Sequence, residues 1–261
     1  MSIYVGIGGW VFEPWRDNFY PKGLSQKREL EYASSKLTGI EINGTYYGSQ
    51  KPQTFRKWHD ETPDGFVFTL KGPRFATNRR VLAEAGDSIS RFVDSGITEL
   101  KDKLGPINWQ FMATKKFDPA DFAAFLNLLP KKVGSRPLRH AVEVRHDSFK
   151  DAAFVKMCRD HGVAIICGAD AEFPVIADVT ADFVYVRAMG TQEKEKLGYS
   201  KAAIAKWAER AQAWEQGGTP KDLKLIAPAA PKKKRDVFLF VISGAKDKNP
   251  AAAQGIIAAL E

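Results

Sequence analysis

Along His140-Ala141-Val142-Glu143-Val144-Arg145, apolar and ionisable side chains alternate. Successive side chains of a strand point to opposite faces, so Val142 and Val144 share one face while Glu143 and Arg145 share the other. The same split recurs in four more short segments. Ile40 and Ile42 oppose Glu41 and Asn43; Phe66, Phe68 and Leu70 oppose Thr69 and Lys71. Trp109 and Phe111 oppose Asn108 and Gln110; Val184, Val186 and Ala188 oppose Tyr185 and Arg187.

Working outward, eight strands are predicted: Ile3–Gly8, Gly39–Asn43, Phe66–Lys71, Ile107–Phe111, His140–Arg145, Val163–Cys167, Phe183–Ala188 and Val237–Ile242. Helical stretches fill the gaps, and this alternation argues for βα units on a parallel sheet. Asp118-Pro119-Ala120-Asp121 reads as an N-cap, a proline at the first helical position and an acid in the first turn. Gly162 reads as the glycine after a helix, and Ser200 as the cap of Lys201–Gln216, whose Trp207 and Trp214 read as core. Eight strands is the number at which such a sheet closes, so the expected fold is a single-domain α/β TIM-like (β/α)8 barrel over residues 1–261. An open doubly wound sheet is the alternative. It is weakened because Gly6-Ile7-Gly8-Gly9-Trp10-Val11 lacks the third glycine of a dinucleotide-binding turn.

In a barrel, the apolar parity must face the surrounding helices and the polar parity the axis. Barrel interiors are ordinarily filled by bulky apolar side chains, so Glu41, Lys71, Glu143, Arg145 and Arg187 have to be paired or kept wet at the open mouth. Each lies near the C-terminal end of its strand, where barrel enzymes build their sites. Glu41 or Glu143 is the candidate acid/base if desolvation raises its pKa, with Lys71, Arg145 and Arg187 clamping an anion. Trp10, Asn43, Tyr46, Gln110, His146, Asp170 and Tyr199 complete the candidate substrate-binding rim. Glu41, Glu143, His146 and Asp170 together offer an oxygen-rich set for Mg2+ or Mn2+, although no cofactor is required by the sequence. The competing reading is a self-satisfied structural ion network.

The chain has 261 residues, ample apolar material at 44%, and a formal charge of +8, which favours anionic partners. No run approaches a membrane span, and the N-terminus reads as a strand rather than a signal peptide, so a cytoplasmic protein with no membrane partner is expected. Cys158 and Cys167 read as buried small hydrophobes. Residues 217–236, ending in Lys232-Lys233-Lys234-Arg235, read as a mobile basic loop before the last strand.

Taken in order, several pieces form a set: Gly6-Ile7-Gly8-Gly9-Trp10, Phe19-Tyr20-Pro21, Glu41-Ile42-Asn43-Gly44-Thr45-Tyr46-Tyr47, Thr62-Pro63, Phe66-Val67-Phe68 with Lys71, Leu104-Gly105-Pro106, Glu143-Val144-Arg145-His146 and Tyr185-Val186-Arg187. Over residues 3 to about 215, the chain resembles the YecE-like family, a domain of unknown function. The resemblance implies a TIM-like barrel and no established reaction. Fold-level analogy of such barrels to AP endonucleases and sugar isomerases adds a nucleic-acid reading. The sequence departs from the family pattern at Thr77-Asn78, at Phe111-Met112-Ala113, at Met189-Gly190 and at Val241-Ile242-Ser243-Gly244, and two rim histidines are lost with those departures.

Three functions follow as expectations. The first is an enzyme (a hydrolase, lyase or isomerase) acting on a small anionic or phosphorylated substrate. The second is a nucleic-acid-binding or nucleic-acid-processing protein that also uses Arg79-Arg80 and the Lys232–Arg235 run. The third is a non-catalytic binding barrel.

Overall fold

Alternation of side chains forces the strands of this chain to be lined by two different environments, and the architecture satisfies both. A computed structural model describes residues 2–169 and 172–261. Its principal strands are β1 (Ile3–Gly8), β2 (Gly39–Ile42), β3 (Val67–Lys71), β4 (Leu104–Gln110) and β5 (His140–Glu143). They continue with β6, broken into Ala164–Ile165 and Cys167–Ala169, then β7 (Phe183–Ala188) and β8 (Asp236–Val241). All pairings in this sheet are parallel.

Neighbours in sequence are neighbours in the sheet, and β1 also pairs with β8. The first half of β6 pairs with β5 and the second half with β7. At the break, Ile166 N still donates to Val142 O at 2.9 Å. The result is an almost closed α/β barrel. An additional two-stranded ribbon, Lys132–Val133 against Arg136–Pro137, lies between β4 and β5.

Helices form where the local signals place them. Asp118 accepts from Ala120 N and Asp121 N to start Pro119–Leu128, and Gly162 ends Ala152–His161 at φ 63°. Ser200 caps Lys201–Glu215, which buries Trp207 and Trp214. Among the described residues between β6 and β7 there is no helix; Ile176, Ala177 and Val179 cover the barrel wall there instead. No helix of the described residues is long and apolar enough to cross a membrane. Cys158 and Cys167 are free and buried, and burial pushes the Cys167 thiol up to about 12.

Two apolar clusters follow the two strand faces. Outward residues such as Ile40, Phe68, Trp109, Val142 and Val186 pack with the helices. Inward residues Val67, Ala141, Ala164, Phe183, Phe238 and Phe240 fill the lower lumen. β1 reaches its neighbour closely: a Cβ on Gly6 would stand 1.7 Å from Gly39 O, so only glycine fits.

The segment from 217 to 236 joins a helix to β8, so it lies at the N-terminal end of the barrel, away from the mouth. Arg235, grouped with the exposed basic run by its sequence, is buried. It donates to Lys233 O and Pro231 O at 2.8 Å and to Gly217 O at 3.4 Å. It is therefore not a free phosphate ligand.

Candidate active site

The polar parity of five strands converges above the apolar plug. Arg187, on the inner face of β7, lies at its centre: Nη1 donates to both Glu143 oxygens at 2.8 Å and Nη2 to Glu41 Oε1 at 3.1 Å. Tyr185, two residues earlier on the same face, donates to Glu41 Oε2 at 2.6 Å, and its oxygen stands 2.8 Å from Thr69 Oγ1. Asn108 Nδ2 lies 3.3 Å from Glu41 Oε2 and from Glu143 Oε2. Arg145 then adds Nε and Nη2 to Glu143 Oε1 at 2.8 and 2.6 Å and lays its guanidinium on Phe173, 4.5 Å from the ring centre.

Lys71 is treated differently. Its buried ammonium donates to the neutral Gln110 Oε1 at 2.5 Å and lies 5.4 Å from the centre of the Tyr46 ring. Among the described residues no carboxylate is paired with it. The five ionisable groups thus comprise three cations and two carboxylates, and both carboxylates are taken by arginines. Two further buried atoms of the layer, Arg187 Nε and Asn108 Oδ1, have no partner among the described residues.

This geometry decides the protonation states. Burial works to raise the Glu143 carboxyl, but Arg187, Arg145 and Lys71 outweigh it and hold it at about 2. The expected acid/base with a raised pKa is not what the barrel builds there: Glu143 is a fixed carboxylate. Burial, aided by Arg187, lowers Lys71 to about 8. Burial and then Glu41 push the Tyr185 hydroxyl well above its ordinary value, so it remains a donor.

The remaining rim residues separate. Trp10 and Asn43 line a cavity of about 320 Å3 at the ends of β1 and β2, together with Gly8, Gln50, Trp58 and Lys246. Because Ile42 pairs with Leu70, Asn43 follows beside Lys71. Trp10 packs edge-on against Trp58, with ring centres 5.2 Å apart. Tyr46 and Gln110 meet Lys71, as above. His146 does not join the network: its Nδ1 accepts from Ser148 N at 3.1 Å and caps the short turn Asp147–Phe149. Tyr199 donates to Met189 O at 2.6 Å. Asp170 lies outside the described residues.

Of the set expected for Mg2+ or Mn2+, Asp170 lies outside the described residues, and among the described residues no group of three His, Cys, Asp or Glu side chains is placed to hold a metal ion. The oxygens of Glu41 and Glu143 are occupied by arginine, tyrosine and asparagine donors. Arg187, in turn, is spent on carboxylates and is unsuited to clamp a ligand directly.

Asn108, Tyr185 and Thr69 belong to the network but were not singled out by residue type, although their inward parity was readable. Trp58, Gln50 and Lys246 reach the cavity from distant segments, and no local pattern marks them.

Comparison with known proteins places this geometry in context. A family model described as "Protein of unknown function DUF72" matches residues 4–261. The chain is 24% identical to the UPF0759 protein YecE of Escherichia coli (strain K12), with 84% of each chain covered. Among solved structures it resembles a DUF72 family protein (TM1631) of Thermotoga maritima MSB8 at a TM-score of 0.74 and 20% identity, covering 99% of this chain and 98% of that one. SacUVDE shares the fold at a TM-score of 0.50 and 10% identity, covering 99% and 97%.

Proposed function

The chain belongs to the DUF72 family of proteins of unknown function, and we propose that it is an enzyme whose barrel mouth binds a small anionic substrate, a carboxylate or a phosphate. Lys71 and the outer edge of Arg145 meet the anion. Glu41, Glu143 and Arg187 form the fixed frame beneath them, with Tyr185 and Asn108 satisfying the carboxylate oxygens. Trp10 and Asn43 line the adjoining cavity that takes the rest of the molecule.

One observation carries this reading. Among the described residues, Lys71, Arg187 and the half-buried Arg145 share one layer with two buried carboxylates, so positive charge is left over at the mouth. Desolvating each ion costs several kcal/mol, and a purely structural network has no use for the third cation. A bound anion balances it.

A second reading, nucleic acid, is favoured by the outer rim. Among the described residues the exposed large hydrophobics Val11, Tyr47, Phe75, Val81, Met112, Val175 and Leu197 stand on segments that follow strands at the mouth, Tyr47 and Phe75 on single helical turns. Arg74 stacks near both Tyr47 and Phe75, at 5.9 and 5.5 Å from the ring centres. Cationic and aromatic faces in this arrangement suit stacked bases on a charged strand. Arg79 contributes less than its sequence suggested, since Nε donates to Phe75 O at 2.7 Å within its own loop. The Lys232–Arg235 run lies at the other end of the barrel.

Thermal melts with a panel of small carboxylates and phosphates, with a short single-stranded oligonucleotide as one arm, test both readings. An anion at 100 times its Kd should stabilise the wild type by about 2.7 kcal/mol, and Arg145→Ala should abolish the effect. Stabilisation by the oligonucleotide alone, steeply weakened by salt, would replace the first reading with the second. No stabilisation by any member would sink both.

A further inference from the structure

We propose that Lys71 is a nucleophile that captures the carbonyl group of a small 2-oxo acid as a Schiff base, with the substrate carboxylate against Arg145. This rests on the anion-binding reading above and narrows it.

The argument begins with how two buried lysines use their protons. Lys103 spends its ammonium on His59 O and Thr62 O, both at 2.6 Å, and on Thr62 Oγ1 at 3.2 Å. It is a structural lysine with every donor engaged. Lys71 is also buried, yet it makes one hydrogen bond, to an amide oxygen. An ammonium that has left water without gaining a carboxylate is destabilised relative to the free amine. Nearby guanidiniums act in the same direction, and together burial and Arg187 bring Lys71 to about 8. Desolvation beside another cation is the recognised way to make a lysine amine nucleophilic near neutral pH.

Position supplies the rest. Lys71 ends β3 and Arg145 follows β5, with only β4 between them. Neighbouring strands lie about 4.8 Å apart, and both long side chains reach inward over the same Glu143 layer. Across β4 this makes about 10 Å between the two backbones, a gap that the two long side chains narrow from either side. Arg145 gives Nε and Nη2 to Glu143, leaving the Nη1 edge for a second carboxylate, and Phe173 fixes the guanidinium plane. The cavity beside Asn43 and Trp10 receives the side chain of the acid.

The step balances without a redox partner. The lone pair of the neutral Lys71 amine forms the new C–N bond as the carbonyl π pair moves onto oxygen. Both amine protons are transferred to that oxygen, which leaves as water and gives the imine. Protonation of the imine nitrogen then makes the adjoining carbon an electron acceptor, the state from which lyase or isomerase chemistry proceeds.

The test is reductive trapping. The full-length chain is incubated at pH 8 with pyruvate, glyoxylate or 2-oxoglutarate and cyanoborohydride, and the modified lysine is mapped by peptide mass spectrometry. The expected result is an adduct concentrated on Lys71 over the exposed lysines, absent in Lys71→Arg, and lowered at least tenfold in Arg145→Ala. Mapping of the wild type alone decides the matter if a variant folds poorly. Labelling spread over surface lysines with none at Lys71 overturns the inference. Melts with the same acids separate the two levels: stabilisation without trapping leaves an anion site with no carbonyl chemistry, whereas neither effect removes the anion site as well.

Discussion

The lower and upper halves of the barrel lumen solve the same packing problem with opposite chemistry. Below, Tyr4 stacks on Phe238 with ring centres 5.1 Å apart, and Phe183 meets Phe238 edge-on at 5.9 Å. Arg139 closes this end, 4.8 Å from the Phe238 ring and 2.9 Å from Asp236. Above, the space is filled by Glu41, Glu143, Arg187 and Asn108. Tyr185 is the boundary: its ring lies 5.5 Å from Phe240, and its hydroxyl belongs to Glu41. Burying a phenyl ring contributes about 1.5–3 kcal/mol, whereas burying an ion pair is neutral or unfavourable against an apolar replacement of the same shape. The lower half holds the barrel together. The upper half is maintained at a cost to stability, and such costs are tolerated where a site is being built.

The largest expected effect tests the upper half. Arg187→Ala strands two buried carboxylates and should lower unfolding free energy by about 5 kcal/mol at pH 7, read from urea denaturation. That loss should shrink in acid as Glu143 takes up a proton. In the wild type the sign runs the same way. Glu143 is held at about 2 against an ordinary 4.5, so its contribution, about 3 kcal/mol, is complete above pH 4.5 and is lost as pH falls toward 2. A loss in Arg187→Ala that ignores pH would mean the pairing is not what holds the layer.

Phe238→Ala probes the lower half and should cost about 4 kcal/mol through the cavity it leaves. Its cost should be flat between pH 3 and 8, because Arg139 loses only the face of the ring and keeps Asp236 as its counter-ion. A pH-dependent cost would show that the aromatic plug and the charged layer are energetically one unit, and the contrast between the halves would fail.

The smallest effect has the opposite sign. Lys71→Met should stabilise the fold by about 2 kcal/mol at pH 7, since it removes a buried cation without a carboxylate partner. Lys71 is lowered to about 8 from 10.5, so the wild type recovers stability as pH rises from 8 to 10.5, and the advantage of the variant should fade over that window. Destabilisation by Lys71→Met would instead mark the lysine as part of the frame.

Much of this was legible before any coordinates. The period-two alternation in five segments named the inward residues, and it identified Glu41, Lys71, Glu143, Arg145 and Arg187 as one group, because strand geometry leaves a side chain only two directions. It did not reveal how they pair. Residue type made Glu143 a candidate acid and Arg187 a candidate clamp, yet their mutual distance of 2.8 Å turns each into the other's counter-ion. His146 and Tyr199 were credible at the rim by position, but His146 caps a turn and Tyr199 ties down a loop. Trp58, Gln50 and Lys246 gave no signal, because their loops converge only when the ring of strands forms.

The sequence by itself determined the alternation of strands and helices and the residues that face inward, and it favoured a barrel over an open sheet, since these follow from local alternation, capping and the number of βα units. Only the tertiary structure decided which cation is left without a carboxylate among the described residues. That choice depends on distances between strands far apart in the chain, and a few ångströms in a medium without water separate a satisfied arginine from the buried amine of Lys71.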